Sequence, residues 1–412
     1  MHRTEVPQVG TLDGVRVVFA APSIAGPFFG AMCADHGADV IWIEQASQPA
    51  LDRSGIIGFL DADRKNMRNL ALDIPSPDGR KIFLKLMKDT DIFLESSKGG
   101  TYEKWGLTDE ILWEVNPRLV IIHVSGFGLT GDPNYIHRAA YDPIAQAFGG
   151  MMYTNTRGGP PLPASPVIAD YYTGLFAFGS GLAAYIKALK TGKGDSVEVS
   201  QYEAVVRCMN YGFADWNIPI DDPNADKLRY KVGNYNNKTA GYNTYQCADG
   251  NYIFIMIIGK SVMQKAFPLL GLEYGSESTP EKVIYREYEA EGKILNDAII
   301  KYCSSRTAEE VETVFSSFGI PAMRTLTFDD QLTHPHYVAR ETFTTVYNSE
   351  KGKDVIIPNI FPRMKNNPAR IWRGAPSWGD DTTDILEDLG YSSKDIEHLA
   401  EIRVVHCKES TE

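Results

Sequence analysis

One carboxylate stands where the sequence combines an acidic side chain with the start of a helix. Asp170 lies in the segment ASPVIADYYTGL, directly before the apolar stretch 171–190, whose small and apolar residues predict a long buried helix. An aspartate at that place caps a helix by accepting hydrogen bonds from free backbone N–H groups. The same geometry suits catalysis, because the positive end of the helix dipole stabilises an anion and fixes its direction. The sequence therefore allows both a capping and a catalytic role for Asp170.

Two common cofactor-binding motifs are disrupted. The loop after the first predicted strand carries Pro22 and Pro27 where a dinucleotide-binding loop needs backbone N–H donors. Gly259-Lys260-Ser261 resembles the end of a phosphate-binding loop, but Phe254 occupies the position of the earlier glycine. A G-x-S-x-G nucleophile motif is also missing from the sequence. Nicotinamide chemistry, ATP use and serine hydrolysis are therefore not supported.

Cysteine and histidine spacing argues against a metal site. The 5 cysteines are an odd number, lie far apart and form no C-x-x-C pair, so neither a disulfide framework nor a zinc site is expected. His334 and His336 are separated by Pro335, which favours a turn or an extended segment over a helical metal-binding face. We therefore expect no metal ligands in this chain.

The residues before position 130 form the pattern of parallel βαβ units, in which short β-branched runs alternate with helical stretches. Their continuously apolar strands suit a sheet covered on both faces. Ligands of such sheets bind beyond the carboxyl ends of the strands. The strands are predicted at 15–20, 39–44, 91–96 and 119–126, and the informative loops follow Ala20, Glu44, Ser96 and Ser125.

A change of composition divides the chain. The stretch 217–243 is polar, rich in Asn and Pro and without periodicity, which indicates an inter-domain linker. Beyond it, a hairpin around Asp249-Gly250, a helix at 308–319 and a strand at 320–326 indicate a smaller α+β domain.

Charge and hydropathy limit the partners of the protein. Its 412 residues include 41 basic and 53 acidic side chains, a net charge of −12, without a Lys/Arg-rich block. Nucleic acid and anionic lipid are therefore not expected as partners. The N-terminal MHRTEVPQVG is too polar for a signal peptide, and no segment approaches the run of about 18 apolar residues that a transmembrane helix needs. We expect a soluble, cytoplasmic protein.

Segments along nearly the whole chain resemble the class III CoA-transferases. They are DGVRVVFAAPSIAGPFFGAMCADHGADVIWIE, LALDIPSPDGR, VSGFGLTG, YDPIAQAFGG, DYYTGL and GAPSWGDDTTDILEDLGY. Within the family, SIAGPFFG, LESSKGG, AYDPIAQAFGG and KNNPARIWRGAPS are most similar to crotonobetainyl- or γ-butyrobetainyl-CoA:L-carnitine CoA-transferases. The resemblance implies an α/β fold with a Rossmann-like large domain from 1–216 and 331–412, a small domain at 244–330 after the linker, and a homodimer of interlocked rings.

The resemblance also implies roles for individual residues. Asp170 matches the nucleophile that attacks an acyl-CoA thioester and passes CoA, through an aspartyl anhydride and an aspartyl-CoA thioester, to a free carboxylic acid. This chemistry uses CoA as a substrate and needs no ATP, metal or permanently bound cofactor. Lys98 and Lys104 match positions that contact CoA, where lysines pair with phosphates. Met67 stands where many relatives carry a lysine, which leaves Lys65 or Arg68 to replace it.

Two alternatives remain open. The α-methylacyl-CoA racemases share this fold but carry a histidine directly before the aspartate matching Asp142, a position held here by Tyr141, whereas His137 lies four residues earlier. The acid substrate is also open: aromatic residues suit the trimethylammonium group of carnitine through cation–π contacts, but another small carboxylic acid fits the same reaction. The aromatic residues are Tyr141, Tyr153, Tyr171, Tyr172, Tyr211 and Trp216.

Overall fold

The computed structural model describes residues 1–22, 24–54, 60–155, 160–209, 217, 221 and 239–408. Most of the predicted linker at 217–243 therefore lies outside the described residues, and its last two residues, Tyr242 and Asn243, belong to a strand. The described strands are β1 (Arg16–Ala20), β2 (Asp39–Glu44), β3 (Met67–Leu72), β4 (Ile92–Glu95), β5 (Val120–Ser125), β6 (Ser196–Ser200), β7 (Tyr242–Gln246), β8 (Tyr252–Met256), β9 (Ala322–Arg324), β10 (Phe343–Asn348), β11 (Lys353–Pro358) and β12 (Val405–His406).

The helices alternate with these strands over the first half of the chain. They are α1 (Ala25–Asp35), α2 (Leu60–Asp63), α3 (Pro77–Met87), α4 (Thr101–Lys104), α5 (Asp109–Val115), α6 (Pro133–Ile136), α7 (Asp142–Phe148), α8 (Met151–Thr154), α9 (Ile168–Thr191), α10 (Gln201–Cys208), α11 (Lys260–Leu269), α12 (Ala290–Cys303), α13 (Ala308–Ser317), α14 (Phe328–Thr333), α15 (Pro335–Ala339), α16 (Thr382–Asp388) and α17 (Ser393–Glu401). None of the described helices is both long and apolar enough to cross a lipid bilayer.

Two compact units are formed by the chain. The first comprises Met1–Gly149, Ser165–Arg207 and His336–Glu412, and the second comprises Gly150–Ala164 and Cys208–Pro335. The first unit thus contains both ends of the chain. The segment Gly150–Ala164 belongs to the second unit, whereas the sequence-based boundaries placed it in the large domain.

The first unit is built on a seven-stranded sheet with the order β12-β3-β2-β1-β4-β5-β6. Its neighbouring strands are parallel, except that β12 pairs antiparallel with β3. Strands β2, β3 and β5 are buried along their whole length, as expected for continuously apolar strands between two helical layers. The α/β, Rossmann-like fold predicted from the sequence is confirmed. The strand order reverses beside β1, where such sheets bind ligands.

Helix α9 runs close to this sheet because glycines face its neighbours. A Cβ atom on Gly174 would lie 2.8 Å from the Ala25 carbonyl oxygen of α1, and one on Gly181 would lie 2.7 Å from the Ile122 Cδ1 atom of β5. Both distances are shorter than van der Waals contact. At Gly174 the contacted atom belongs to the backbone, so the packing requires glycine there, whereas the Ile122 side chain opposite Gly181 can move. The close contacts fix the helix, and with it the first turn that carries Asp170.

The second unit contains the antiparallel sheet β7-β8-β9. Strands β7 and β8 form the predicted hairpin, with Gly250 in the turn at φ +81°, a conformation that glycine adopts without strain. Helix α13 begins with the capping box of Thr307 and Glu310. The core of this unit includes Ile255, Phe267, Leu295, Ile299 and Phe315.

Candidate active site

Asp170 is the third residue of α9 and not its cap. The helix starts at Ile168, and the residue before it, Val167, makes no side-chain capping bond. The carboxylate of Asp142 takes this role, since its Oδ2 accepts the backbone N–H groups of Ala169 at 2.7 Å and Asp170 at 3.1 Å. The expectation that Asp170 caps the helix is therefore wrong. The helix begins earlier than its apolar pattern predicts, and a carboxylate from another helix occupies its N-terminus.

Asp142 is itself held in place. It begins α7, is only 3% exposed, and accepts a hydrogen bond through Oδ1 from Gln146 Nε2 at 2.5 Å. Two backbone donors and one amide donor thus meet a single buried carboxylate. Hydrogen bonds to an ionised acceptor are stronger than bonds between neutral groups, so this cluster joins α7 firmly to α9.

The side chain of Gln201 meets Asp170 directly. Its Nε2 donates a hydrogen bond to Asp170 Oδ1, and both side chains are buried. Gln201 is the first residue of α10 and follows the last residue of β6 without a loop. Reasoning from the sequence missed this residue, although a polar side chain directly after the carboxyl end of a parallel strand is the signal that could have found it.

The electrostatics of this site favour a basic carboxylate. The pKa of Asp170 is raised to about 7: burial is the largest cause, the negative charge of Asp142 also raises it, and the hydrogen bond from Gln201 lowers it in part. A carboxylate that holds its proton this strongly is also a stronger nucleophile once it is ionised. A perturbed pKa of this kind is typical of functional sites.

A cavity of about 510 Å³ lies at the carboxyl ends of β1, β2, β3 and β4. This position agrees with the rule that ligands of parallel sheets bind beyond the strand ends, and the volume suits an organic ligand. Asp170 is not among the described residues that line the cavity. The lining includes Ala21, Trp42, Glu44, Asp73, Ser96 and Trp105.

Lys98 and Lys104 flank this cavity. Both are exposed, Lys98 in the loop after β4 and Lys104 at the end of α4. The neighbouring residues Ser97, Thr101 and Trp105 line the cavity wall. In the ranges that the structure describes, neither ammonium group forms an ion pair, so both are available to an anionic ligand.

The possible substitutes for the lysine missing at Met67 are engaged elsewhere. Met67 is fully buried on β3. The Nζ atom of Lys65 lies 2.9 Å from Asp35 Oδ1, and Arg68 Nη2 lies 2.8 Å from both oxygens of Asp39. Both cationic side chains are at most 5% exposed. Removing one partner from a buried pair costs about 3–5 kcal/mol, so neither Lys65 nor Arg68 is free to bind a phosphate.

Comparison with known proteins agrees with this architecture. The family model for CoA-transferase family III matches residues 12–382. The chain belongs to CoA-transferase family III. It is 39% identical over 398 residues to the bile acid CoA-transferase BaiK of Clostridium scindens, covering 96% of this chain and 89% of that protein.

Two solved structures share the fold. A CAIB/BAIF family protein from Brucella suis has a TM-score of 0.75 at 25% identity, covering 93% of this chain and 100% of that chain. Rv3272 from Mycobacterium tuberculosis has a TM-score of 0.76 at 20% identity, covering 91% and 99%. The protein is therefore a class III CoA-transferase, an enzyme whose substrates are CoA thioesters and which has no permanently bound cofactor.

The acid limb of the pH–rate profile should report the raised pKa of Asp170. We expect kcat/KM for acyl-CoA to fall about tenfold per pH unit below pH 7, because a carboxylate is reactive as a base or nucleophile only in its ionised form. Asp142→Asn should move this limb to lower pH, since it removes the adjacent negative charge while asparagine still accepts an N–H bond. The measurement is initial rate between about pH 5 and 9.

The matched control is Asp78→Asn, which neutralises an exposed carboxylate paired with Lys81. It should leave the profile unchanged. An acid limb near pH 4 in the wild-type enzyme would show that Asp170 is an ordinary, solvated carboxylate.

Proposed function

We propose that Asp170 is the nucleophile that moves CoA from an acyl-CoA to a free carboxylic acid. The observation that carries the proposal is the buried carboxylate of raised pKa in the first turn of α9, in a chain of the CoA-transferase family. In the first step an Asp170 oxygen attacks the thioester carbonyl, which forms a mixed anhydride and releases CoA thiolate. Because the thiolate is kept rather than lost, the energy of the thioester is conserved.

The remaining steps exchange the groups on Asp170. The thiolate attacks the Asp170 Cγ atom and expels the donor carboxylate, which leaves an aspartyl-CoA thioester. The acceptor carboxylate then attacks the same atom and expels CoA thiolate, giving a second anhydride. Attack of the thiolate on the acceptor carbonyl yields the new acyl-CoA and restores the Asp170 carboxylate.

We assign the CoA nucleotide to the cavity at the carboxyl ends of β1–β4, with Lys98 and Lys104 as the partners of its phosphates. The ring of Trp105 in the wall suits a base, and the flanking ammonium groups suit anions. Lys98 lies three residues after the end of β4 and Lys104 is the last residue of α4, so Lys98 is nearer to the sheet along the chain.

The acid substrate is proposed on two separate grounds. The similarity to BaiK, a bile acid CoA-transferase, supports a steroid carboxylic acid. The segments that resemble carnitine CoA-transferases support carnitine with crotonobetainyl-CoA or γ-butyrobetainyl-CoA. Of the aromatic residues considered for a trimethylammonium group, Tyr141 is exposed, Tyr171 packs edge-on against Phe28, and Tyr211 and Trp216 lie outside the described residues.

A homodimer is supported by the outer face of α9. Within the first unit, this helix exposes apolar side chains at helical spacing, which form a stripe with the small residues Gly179 and Ala183. Exposed apolar stripes on soluble proteins usually mark an interface. We propose that a second copy of this chain covers the stripe, as in the interlocked dimers of the family. Sedimentation at micromolar concentration should therefore show no monomer. The stripe is formed by Leu175, Phe176, Ile186 and Leu189.

Racemase chemistry has less support. It requires a histidine near the catalytic aspartate, but Tyr141 stands before Asp142, and His137 is an exposed residue after α6. The side-chain partner that the described residues provide for Asp170 is Gln201.

Asp170→Asn should abolish CoA transfer while the protein stays folded. Wild-type enzyme incubated with acyl-CoA and hydroxylamine should be modified at Asp170, as measured by peptide mass spectrometry, because hydroxylamine traps activated carboxyl groups.

The Asp170→Asn variant should unfold at a higher temperature than the wild type at pH 8. Because the pKa of Asp170 is higher in the folded than in the unfolded protein, the wild type loses folding stability as pH rises from the unfolded-state pKa through about 7. The amide of the variant does not ionise, so the variant avoids this loss. Transfer above about a hundredth of the wild-type rate in the variant would contradict the proposed nucleophile.

A panel of acceptor acids tests the substrate class in the same assay. Cholate, carnitine, γ-butyrobetaine and a tert-butyl analogue of γ-butyrobetaine are offered with one acyl-CoA donor. A betaine site should favour the charged acid over its neutral analogue by about 0.5–2 kcal/mol, the range of cation–π contacts. Preference for cholate would assign the steroid class and exclude betaine specificity.

Lys98→Ala should raise KM for acyl-CoA more than it lowers kcat, because a phosphate contact is equally strong in the ground and transition states. The effect should shrink with added salt. Lys88→Ala, which removes an exposed lysine after α3, is the matched control. Unchanged affinity for CoA at low ionic strength would show that Lys98 is a surface residue without a role in binding.

A further inference from the structure

Gln201 contacts the reacting carboxylate but has no part in the steps described above. Its amide Nε2 donates to Asp170 Oδ1. The residue is 8% exposed and directly follows β6, whose last residue, Ser200, is in register with Ser125 of β5. Gln201 is therefore attached to the sheet rather than to a loop, which fixes the starting point of its side chain.

Other donors near Asp170 are already engaged. The backbone N–H groups of Ala169 and Asp170 donate to Asp142. The N–H of Tyr171 donates to the carbonyl of Val167, and the Thr173 hydroxyl donates to the carbonyl of Ala169. Among the described residues, the Gln201 amide is thus the group that donates a hydrogen bond to the carboxylate of Asp170.

We propose that Gln201 is a catalytic residue that stabilises the oxyanion formed when Asp170 itself is attacked. This inference rests on the proposed role of Asp170 as nucleophile. Because Oδ1 is held by Gln201, the other oxygen, Oδ2, attacks the thioester and becomes the bridging oxygen of the anhydride. Oδ1 is then the carbonyl oxygen, and it still faces the amide N–H.

The substitutions at Cγ place charge on this oxygen. When CoA thiolate attacks Cγ, the carbonyl electron pair moves to Oδ1 and a tetrahedral oxyanion forms. Collapse of this intermediate breaks the bond between Cγ and the bridging oxygen Oδ2. The donor carboxylate leaves and takes Oδ2 with it. When the acceptor carboxylate attacks the aspartyl thioester, charge develops again on Oδ1 and thiolate leaves. A preorganised N–H donor stabilises both transition states.

In the first step the charge on Oδ1 changes in the opposite direction. As Asp170 attacks the acyl-CoA, its carboxylate becomes a neutral acyl group and Oδ1 loses negative charge. The hydrogen bond from Gln201 therefore does not accelerate anhydride formation. The proposal thus predicts that Gln201 acts on one part of the reaction only, which a purely structural role does not explain.

Gln201→Met tests this directly, because methionine keeps the length of the side chain and removes the N–H donor. The assay is rapid-quench thiol release near pH 9, where Asp170 is ionised with or without the hydrogen bond. We expect about one thiol per active site, bound to the enzyme until the quench, to form at about the wild-type rate, followed by turnover slowed by about 10²–10³-fold. The anhydride should accumulate and be trapped on Asp170 by hydroxylamine.

A second readout uses the pH profile. Loss of the hydrogen bond should raise the pKa of Asp170 and move the acid limb of the variant to higher pH than in the wild type. Gln246→Met is the matched control, since Gln246 is an exposed glutamine on β7 in the second unit. Its rates and pH profile should be those of the wild type.

The possible results separate the two proposals. If Gln201→Met slows the first release of CoA as much as turnover, or leaves turnover within about threefold of wild type, Gln201 is not the oxyanion donor. If the quenched wild-type enzyme shows no free thiol and carries neither an anhydride nor a thioester on Asp170, the nucleophile proposal fails, and the role of Gln201 fails with it.

Discussion

The carboxylate of Asp142 on the first N–H groups of α9 is the interaction on which the site depends. An aspartate in the first turn of a helix is normally stabilised as an anion by the helix dipole, which lowers its pKa. Here Asp142 occupies the backbone donors of Ala169 and Asp170, and it adds a negative charge beside Asp170. Asp142 thus accepts the free N–H groups at the start of α9, and the carboxylate of Asp170 keeps its raised pKa. A carboxylate that attacks a thioester benefits from this basicity, because its nucleophilicity rises with its pKa.

This arrangement places an unfavourable charge in the core of the first unit, and the surrounding packing must hold it. The close approach of Gly174 to α1 and of Gly181 to β5 packs α9 tightly on the first unit, and Asp170 is buried there. Gln201 is likewise attached to β6 rather than to a loop. A preorganised site needs rigid elements on both sides of a buried charge, because a side chain that could move would return to water and regain its ordinary solvation.

Much of the fold followed from periodicity, and much of the site did not. Buried strands such as β2 and β5 are recognisable because local pattern and tertiary environment agree, and α9 is recognisable from its length and small residues. The partner that caps α9 lies 27 residues from Ala169, and the donor to Asp170 lies 31 residues away. Such contacts depend on how α7 and β6 meet α9 in space, which no local pattern encodes. For the same reason the sequence left Lys65 and Arg68 as candidates for CoA binding, although both are committed to Asp35 and Asp39.

The topology of the sheet also explains why a ligand with two distant functional ends suits this protein. The cavity lies at the ends of β1–β4, whereas Gln201, which marks the position of Asp170, follows β6 at the edge of the same sheet. Neighbouring strands are about 4.8 Å apart, so the end of β6, where Gln201 begins, lies two to five strand spacings, about 10–24 Å, from the strands whose ends line the cavity. CoA carries its nucleotide and its thiol at opposite ends of a long flexible arm. In the proposed assignment, binding energy from the nucleotide end of CoA positions the thioester at a remote carboxylate, where that energy contributes to the reaction rather than only to affinity.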